Sequence, residues 1–366
     1  MTASPTFQEG DMATLRDVAE RAGVSPSTVS YVLRGDPRFQ PDTVARVQRA
    51  AEELGYAANL SARILKAGRN GVIGVAVYGL AICQPMQLAA ALTREATERG
   101  LNTIVQQTVN SREGELRSLE QVTSQFCDGL IFSPSSVSPA EIKAFVGSKP
   151  MVWCEDFAAE PLFDAVVTPS FEGAQAAVRH LLSVGCHRIA VLGANPPRPD
   201  HADSSNTAFC NQRLAGCTMA LAEAGLSLPS DSVIPCPWDY EDSRLAAHRL
   251  ADAGLVGGDN PAIDGLFCMN DTVAMGASRG FADCGIRVPD DVALIGFDGI
   301  AETAYTVPSI STIAIDYGDY ARKALDLLVA RIESATSKGA ATLVAPPQRL
   351  VANFTLAQRE STHLVR

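Results

Sequence analysis

The side chains able to transfer protons, attack a substrate or bind a metal are few and scattered along the 366 residues. Five histidines (His180, His187, His201, His248 and His363) fall outside any Gly-x-Ser-x-Gly or His-Glu-x-x-His setting. His180 and His187 flank a helix-to-strand turn, where satisfied structural roles are expected. The nine cysteines include no Cys-x-x-Cys pair, and Cys210 and Cys217 lack zinc-ligand spacing. They read as reduced, mostly buried thiols of a cytoplasmic protein. The glycines at 71, 74 and 79 form neither a P-loop nor a dinucleotide fingerprint. No catalysis, metal or cofactor is expected.

Recognition chemistry is better represented. The net charge is −11, yet residues 14–69 hold nine Lys/Arg against six acids, so this segment is +3 and the remainder −14. A small basic module ahead of a large acidic body is a sign asymmetry that suits nucleic acid. Within the module, Ser25, Ser27, Thr28, Ser30 and Tyr31 put hydroxyls along seven residues. The elements that must position them are legible. Thr14 caps a helix with Asp17 in capping-box position, and Leu15, Val18, Ala19 and Ala22 form its apolar face. Gly23 stops it. Ser25 caps a second helix with Pro26 at its first position, and Val29, Val32 and Leu33 face inward, leaving Pro26, Ser27, Ser30 and Tyr31 outward. A third helix starts at Pro41, with Val44, Val47, Ala51 and Leu54 inward and Gly55 at its end. Two short helices across a tight Gly turn, followed by a third, spell helix-turn-helix.

The run Thr14–Gly35, continued through Gly55-Tyr56 and Asn59–Leu65 to Gly74, resembles the DNA-binding headpiece of the lactose-repressor (LacI/GalR-type) family. The resemblance implies a homodimer on double-stranded, pseudo-palindromic operator DNA. It places Pro26, Ser27 and Tyr31 at base-reading positions and Thr14, Ser25, Thr28, Ser30, Arg34 and Asn59 against the DNA backbone. Ala62, Arg63, Leu65 and Lys66 would form a minor-groove hinge, with Leu65 as the apolar wedge. Two positions depart from the common pattern: Tyr31 stands where Arg is frequent and Arg34 where Asn is frequent. A Tyr cannot make the bidentate guanine contact of an Arg, so the operator sequence does not carry over.

Beyond residue 71, strand-like runs (Val72–Tyr78, Leu101–Gln107, Gly129–Phe132, Val152–Cys154, Arg188–Gly193, Leu266–Cys268, Val292–Phe297) alternate with helical segments near 85–99, 111–126, 170–184, 210–224, 241–253 and 271–284. Such alternation implies parallel sheets covered on both faces, and about 290 residues call for two lobes. No apolar run reaches the roughly 20 residues of a membrane span, and the first thirteen residues do not read as a secretory signal.

Asp128-Gly-Leu-Ile, His187–Gly193, Arg213–Gly216, Cys268–Asp271 and Ala293–Asp298 resemble the same family's ligand-binding core, which is similar to periplasmic sugar-binding proteins. The fold expected is thus a small all-α helix-turn-helix headpiece plus a two-lobed, periplasmic-binding-protein-like α/β body. Its boundaries are a flexible tail at 1–13, the headpiece at 14–58, a hinge helix or linker at 59–70 and the body at 71–366. Lobe 1 takes about 71–168 and 300–328, and lobe 2 about 169–299 and 329–366, with crossings near 168, 300 and 330. Ligands in open α/β sheets sit beyond the carboxyl ends of strands, so Asn270 and Asp298, each directly after a strand, face the cleft. The resemblance adds Arg213, placed at the start of a helix, and Trp238 as a stacking aromatic. An aromatic face with Asp and Asn suits a polyhydroxylated ring. The function expected is an operator-binding repressor whose affinity a small effector, a sugar or sugar derivative, adjusts. The alternatives are a remodelled pocket for a non-sugar effector or none, and a cytosolic ligand-binding protein. Gln84–Gln87, Pro169-Ser170, Gly299 and Asn353 depart from the family's usual cleft residues.

Overall fold

Short capped helices and apolar strand runs set the architecture. The computed structural model describes residues 13–33, 36–54, 56, 70–80, 82–108, 111–123, 127–134, 136–158, 160–194, 205–258, 260–336 and 345–363, with backbone only at 121–123 and 205–208. The chain divides into two compact units, Met1–Asn70 and Gly71–Arg366. Most of the expected tail and all but Asn70 of the expected hinge lie outside the described residues.

In the first unit, α1 is Leu15–Ala22, α2 Pro26–Val32 and α3 Pro41–Glu53. The capping box forms as the sequence implies: the Asp17 N–H donates to Thr14 Oγ1, and the Thr14 N–H donates to Asp17 Oδ2 at 2.7 Å. Gly23 ends α1 at φ 64, a left-handed conformation that costs glycine least. Val18, Ala19, Ala22, Val29, Val32, Val47, Ala50 and Ala51 are the buried core.

The second unit holds two six-stranded sheets. The first is built from β1 (Val72–Val77), β2 (Asn102–Gln107), β3 (Gly129–Ser133), β4 (Met151–Cys154), β5 (Asp164–Val167) and β11 (Arg349–Val351), in the order β11-β5-β4-β3-β1-β2, all parallel. The second is built from β6 (Ile189–Leu192), β7 (Val233–Ile234), β8 (Gly265–Cys268), β9 (Ala293–Asp298), β10 (Ser311–Ile315) and β12 (Phe354–Ala357), in the order β12-β10-β9-β8-β6-β7. Only β12 runs antiparallel there, against β10. The helices are α4 (Cys83–Glu98), α5 (Arg112–Thr123), α6 (Pro139–Val146), α7 (Ser170–Ser183), α8 (Ser205–Glu223), α9 (Tyr240–Asp252), α10 (Asp271–Asp283) and α11 (Tyr317–Thr336). Strands buried end to end, such as β1, β3 and β9, explain the continuous apolar runs.

Two of the three expected crossings are displaced. The chain leaves the first sheet after β5, returns near residue 316 and crosses again near 352, instead of near 300 and 330. The reason is pairing: β10 extends the second sheet in parallel with β9, Ser311 opposite Ile295. Then α11 lies on the first sheet, where Leu328 and Ile332 fill the space over Gly129. All nine cysteines are unpaired and six are buried. Among the described residues, no helix is long and apolar enough to cross a membrane.

Candidate nucleic-acid interface and ligand cleft

In the first unit, Pro26, Ser27 and Tyr31 are exposed on α2, as their places on its outward face require. Ser25 caps α2 by accepting from the Thr28 N–H at 3.1 Å, and its hydroxyl also meets those of Ser27 (3.0 Å) and Thr28 (2.9 Å). Thr14 is exposed and Ser30 half-buried. Arg34, Asn59, Ala62, Arg63, Leu65 and Lys66 lie outside the described residues.

The chain after α2 folds back over Tyr31. The Asp36 N–H donates to the Tyr31 carbonyl at 3.2 Å, the Phe39 ring stacks on Tyr31 with centroids 6.3 Å apart, and the Arg38 guanidinium lies 5.3 Å from the Tyr31 centroid. Asp36 grips that guanidinium through Nε at 2.9 Å and Nη2 at 2.7 Å. A cation therefore stands beside the aromatic that replaces the family's frequent Arg. Sequence reasoning missed Arg38 and Phe39, which belong to no periodic face. Their adjacency in a short polar loop was the available signal.

In the second unit, a cavity of about 110 Å³ opens between the carboxyl ends of the two sheets. From the first sheet's side come Tyr78 after β1, Ser133 and Pro134 at β3, Glu155 after β4 and Thr168 after β5. From the second come Phe209 and Arg213 on α8, Trp238, Asn270 and Asp298. All four expected residues thus line one cleft. Their settings differ from expectation in one respect. Arg213 stands in the third turn of α8, since that helix begins at Ser205.

Arg213 and Asp298 are both buried and joined at 3.2 Å. A second arginine N–H donates to the Met269 carbonyl, and the guanidinium lies 3.7 Å from the Phe297 ring centroid. Its Nε is buried without a partner. Trp238 donates to the Gly193 carbonyl at 2.8 Å and meets Phe209 edge-on at 5.4 Å. Asn270 both lines the cleft and caps α10, accepting from the Val273 N–H at 2.8 Å. Burial pushes the Asp298 carboxyl up to about 6 even though Arg213 pulls it down.

Asp271 holds the loop that carries Asp298. Its Oδ2 accepts from the Gly299 N–H at 2.7 Å and the Ile300 N–H at 2.9 Å. Gly296 is required beneath it, because a Cβ there would collide with Asp271 Oδ1.

Glu155 was not anticipated. It accepts from the Thr168 N–H at 2.9 Å and the Thr168 hydroxyl at 2.8 Å, and burial raises its carboxyl to about 7. Among the described residues, only Glu155 (φ 64) and Asp298 (φ 112) hold a positive φ without being glycine. Both are cleft carboxylates just past, or at the end of, a parallel strand. Backbone strain of this kind concentrates at functional sites. The rule that selected Asn270 and Asp298 applies equally to Glu155.

Two family descriptions match the sequence: bacterial regulatory proteins, lacI family, over residues 14–59, and periplasmic binding protein-like domain over residues 178–362. The solved structure of a LacI-family transcriptional regulator from Sanguibacter keddieii is 34% identical, covers 80% of this chain and 99% of its own, and superposes with a TM-score of 0.67. The chain belongs to the LacI family. This LacI-family chain is a DNA-binding transcriptional regulator rather than an enzyme, as are its relatives. One is the HTH-type transcriptional repressor PurR of Photobacterium profundum, 28% identical over 88% of this chain and 92% of that protein. The transcriptional regulator CelR in complex with cellobiose is 25% identical over 95% of this chain and 99% of its own, with a TM-score of 0.66.

Proposed function

We propose that this LacI-family regulator is a homodimeric repressor, and that a polyhydroxylated ligand, a sugar or sugar derivative, binds between its lobes and sets its hold on a pseudo-palindromic operator. The observation that carries the ligand half is the buried Arg213–Asp298 pair among Phe209, Trp238 and Phe297. The aromatic faces cover the C–H side of a ring. Arg213 Nε, the Asn270 amide and the second Asp298 oxygen remain for its hydroxyls. Among the described residues of the lining, the one guanidinium is already held by Asp298 and the Met269 carbonyl, so a phosphate finds no uncommitted cation and phosphorylated ligands are disfavoured. The cellobiose complex of CelR and the repressor relative PurR support the same reading.

On the DNA side, Pro26, Ser27 and Tyr31 read bases, and Thr14, Ser25, Thr28 and Ser30 meet phosphates. Arg34 and Asn59, with Ala62, Arg63, Leu65 and Lys66 of the hinge, complete the interface. Arg38 joins the base-reading group from the loop after α2. A dimer places two α2 helices about one helical turn apart.

The test is fluorescence anisotropy on genomic fragments that the full-length protein enriches, titrated with neutral sugars and with their phosphates. A neutral sugar should change operator affinity by about 5- to 150-fold. Unchanged affinity across the neutral panel, or a response to phosphorylated sugars alone, would refute the proposal.

A further inference from the structure

Glu155 is the cleft carboxylate that the Arg213–Asp298 pair leaves without a counter-charge. Its oxygens accept from the Thr168 N–H at 2.9 and 3.1 Å and from the Thr168 hydroxyl at 2.8 Å, while the nearby Tyr320 hydroxyl gives its proton to the Val166 carbonyl at 2.6 Å. Every one of these donors is neutral. Arg213 is the basic side chain among the described residues lining the cleft, and Asp298, the Met269 carbonyl and the Phe297 ring already hold it. A carboxylate withdrawn from water without a cation is costly. Here the chain keeps it in place through a left-handed backbone at Glu155 and a double contact from Thr168.

The rest of the lining agrees with that charge balance. Tyr78, Phe209 and Trp238 open onto the same cavity, and aromatic faces attract cations. A neutral polyol gives the Glu155 carboxyl no reason to ionise, and burial keeps it protonated up to about pH 7. A ligand with one positive charge favours the ionised form.

We propose that the ligand carries a protonated amine beside its hydroxyls, an amino sugar in chemical class, and that Glu155 is the counter-ion for that amine. This rests on the reading of the cleft as a site for sugar derivatives and narrows it. Arg213, Asn270 and Asp298 hold the hydroxyls, while Glu155 selects the charge.

The experiment is calorimetry and thermal shift on the full-length protein with matched probes: glucosamine, glucose and N-acetylglucosamine, then the same triads for galactose and mannose. In at least one triad the amine should bind about 10-fold or more tightly than both its neutral parent and its N-acetyl form, the gain of a charge-assisted contact. Glu155→Gln should abolish that preference, and Glu155→Asp should retain part of it. The glutamine variant should melt no lower than the natural protein at pH 8, since it removes a group whose ionised form burial disfavours. A neutral parent that binds as well as its amine overturns the proposal and leaves the carbohydrate reading standing. So does an amine preference that survives in Glu155→Gln. If no member of any triad shifts the melting temperature, both fall together.

Discussion

The headpiece and the body each hold an arginine against an aspartate beside an aromatic ring, at 2.7 Å for Arg38–Asp36 and 3.2 Å for Arg213–Asp298. In the first pair the side chains are 70% and 18% exposed, in the second 4% and 6%. Water separates their behaviour. Around Arg38, solvent and salt screen the attraction, so the contact orients the guanidinium and stabilises the fold little. Arg213 and Asp298 are withdrawn from bulk solvent, and each charge depends on the other and on the Met269 carbonyl. One pair keeps its remaining donors at the surface, where a large polyanion can reach them. The other is enclosed where a small molecule can complete it.

The largest expected effect comes from breaking the enclosed pair. Asp298→Ala leaves Arg213 buried opposite no anion, and the loss of one partner of such a pair costs about 3–5 kcal/mol. Urea unfolding of the natural protein and the variant should show that loss in the body's transition. The operator response to any ligand should vanish as well. A variant with unchanged midpoint and slope would mean that water reaches the cleft freely, and the contrast between the two pairs would dissolve.

A smaller effect separates Glu155 from both pairs. Its carboxyl is raised from about 4.5 to about 7 by burial. Between those values the folded protein keeps the proton that the unfolded chain has released. The stabilisation from this group is therefore full below about pH 4.5 and is lost as pH rises through 7. Glu155→Gln stays neutral throughout. Its stability relative to the natural protein should climb between pH 5 and pH 8 by on the order of 1–3 kcal/mol. Parallel pH profiles in denaturant would show that Glu155 has a hidden cation. Asp298 shares the sign, with its carboxyl raised to about 6 by burial.

The same contrast explains what the sequence made legible. Local rules found the headpiece: caps at Thr14 and Ser25, Pro at helix starts, an apolar stripe, a glycine stop. They found Asn270 and Asp298, which stand just past or at the end of a buried parallel strand. They passed over Glu155 because β4 runs straight into Glu-Asp, which looks like a solvated loop. Arg213 and Trp238 came from family resemblance, and α8 begins earlier than the Pro-rich stretch before it suggests. The edge strands β11 and β12 have three and four residues of mixed burial, so only pairing with distant strands defines them. The displaced crossings follow from that. The Arg38–Tyr31–Phe39 cluster joins a helix to the loop after it, a tertiary contact no period encodes.

The smallest effect on stability belongs to Arg38, and that smallness is informative. Arg38→Ala removes a solvent-exposed contact, so the headpiece should melt as before in a thermal scan. Its consequence should appear on DNA. The guanidinium has five N–H donors, and Asp36 occupies one on Nε and one on Nη2. The Tyr31 hydroxyl is a further partner of the guanidinium, and the donors left over can meet the O6 and N7 acceptors of a guanine. The Asp36 carboxylate at 2.7 Å would repel a phosphate but not a base edge. Selection from a random DNA library should therefore show the natural protein preferring guanine at one position in each half-site, and Arg38→Ala losing about 5- to 150-fold of that preference. The rest of the motif should persist. A uniform loss across all sequences, with a salt dependence shallower by about one phosphate contact, would assign Arg38 to the backbone instead. In that case the exposed pair, like the buried one, would serve charge balance rather than reading.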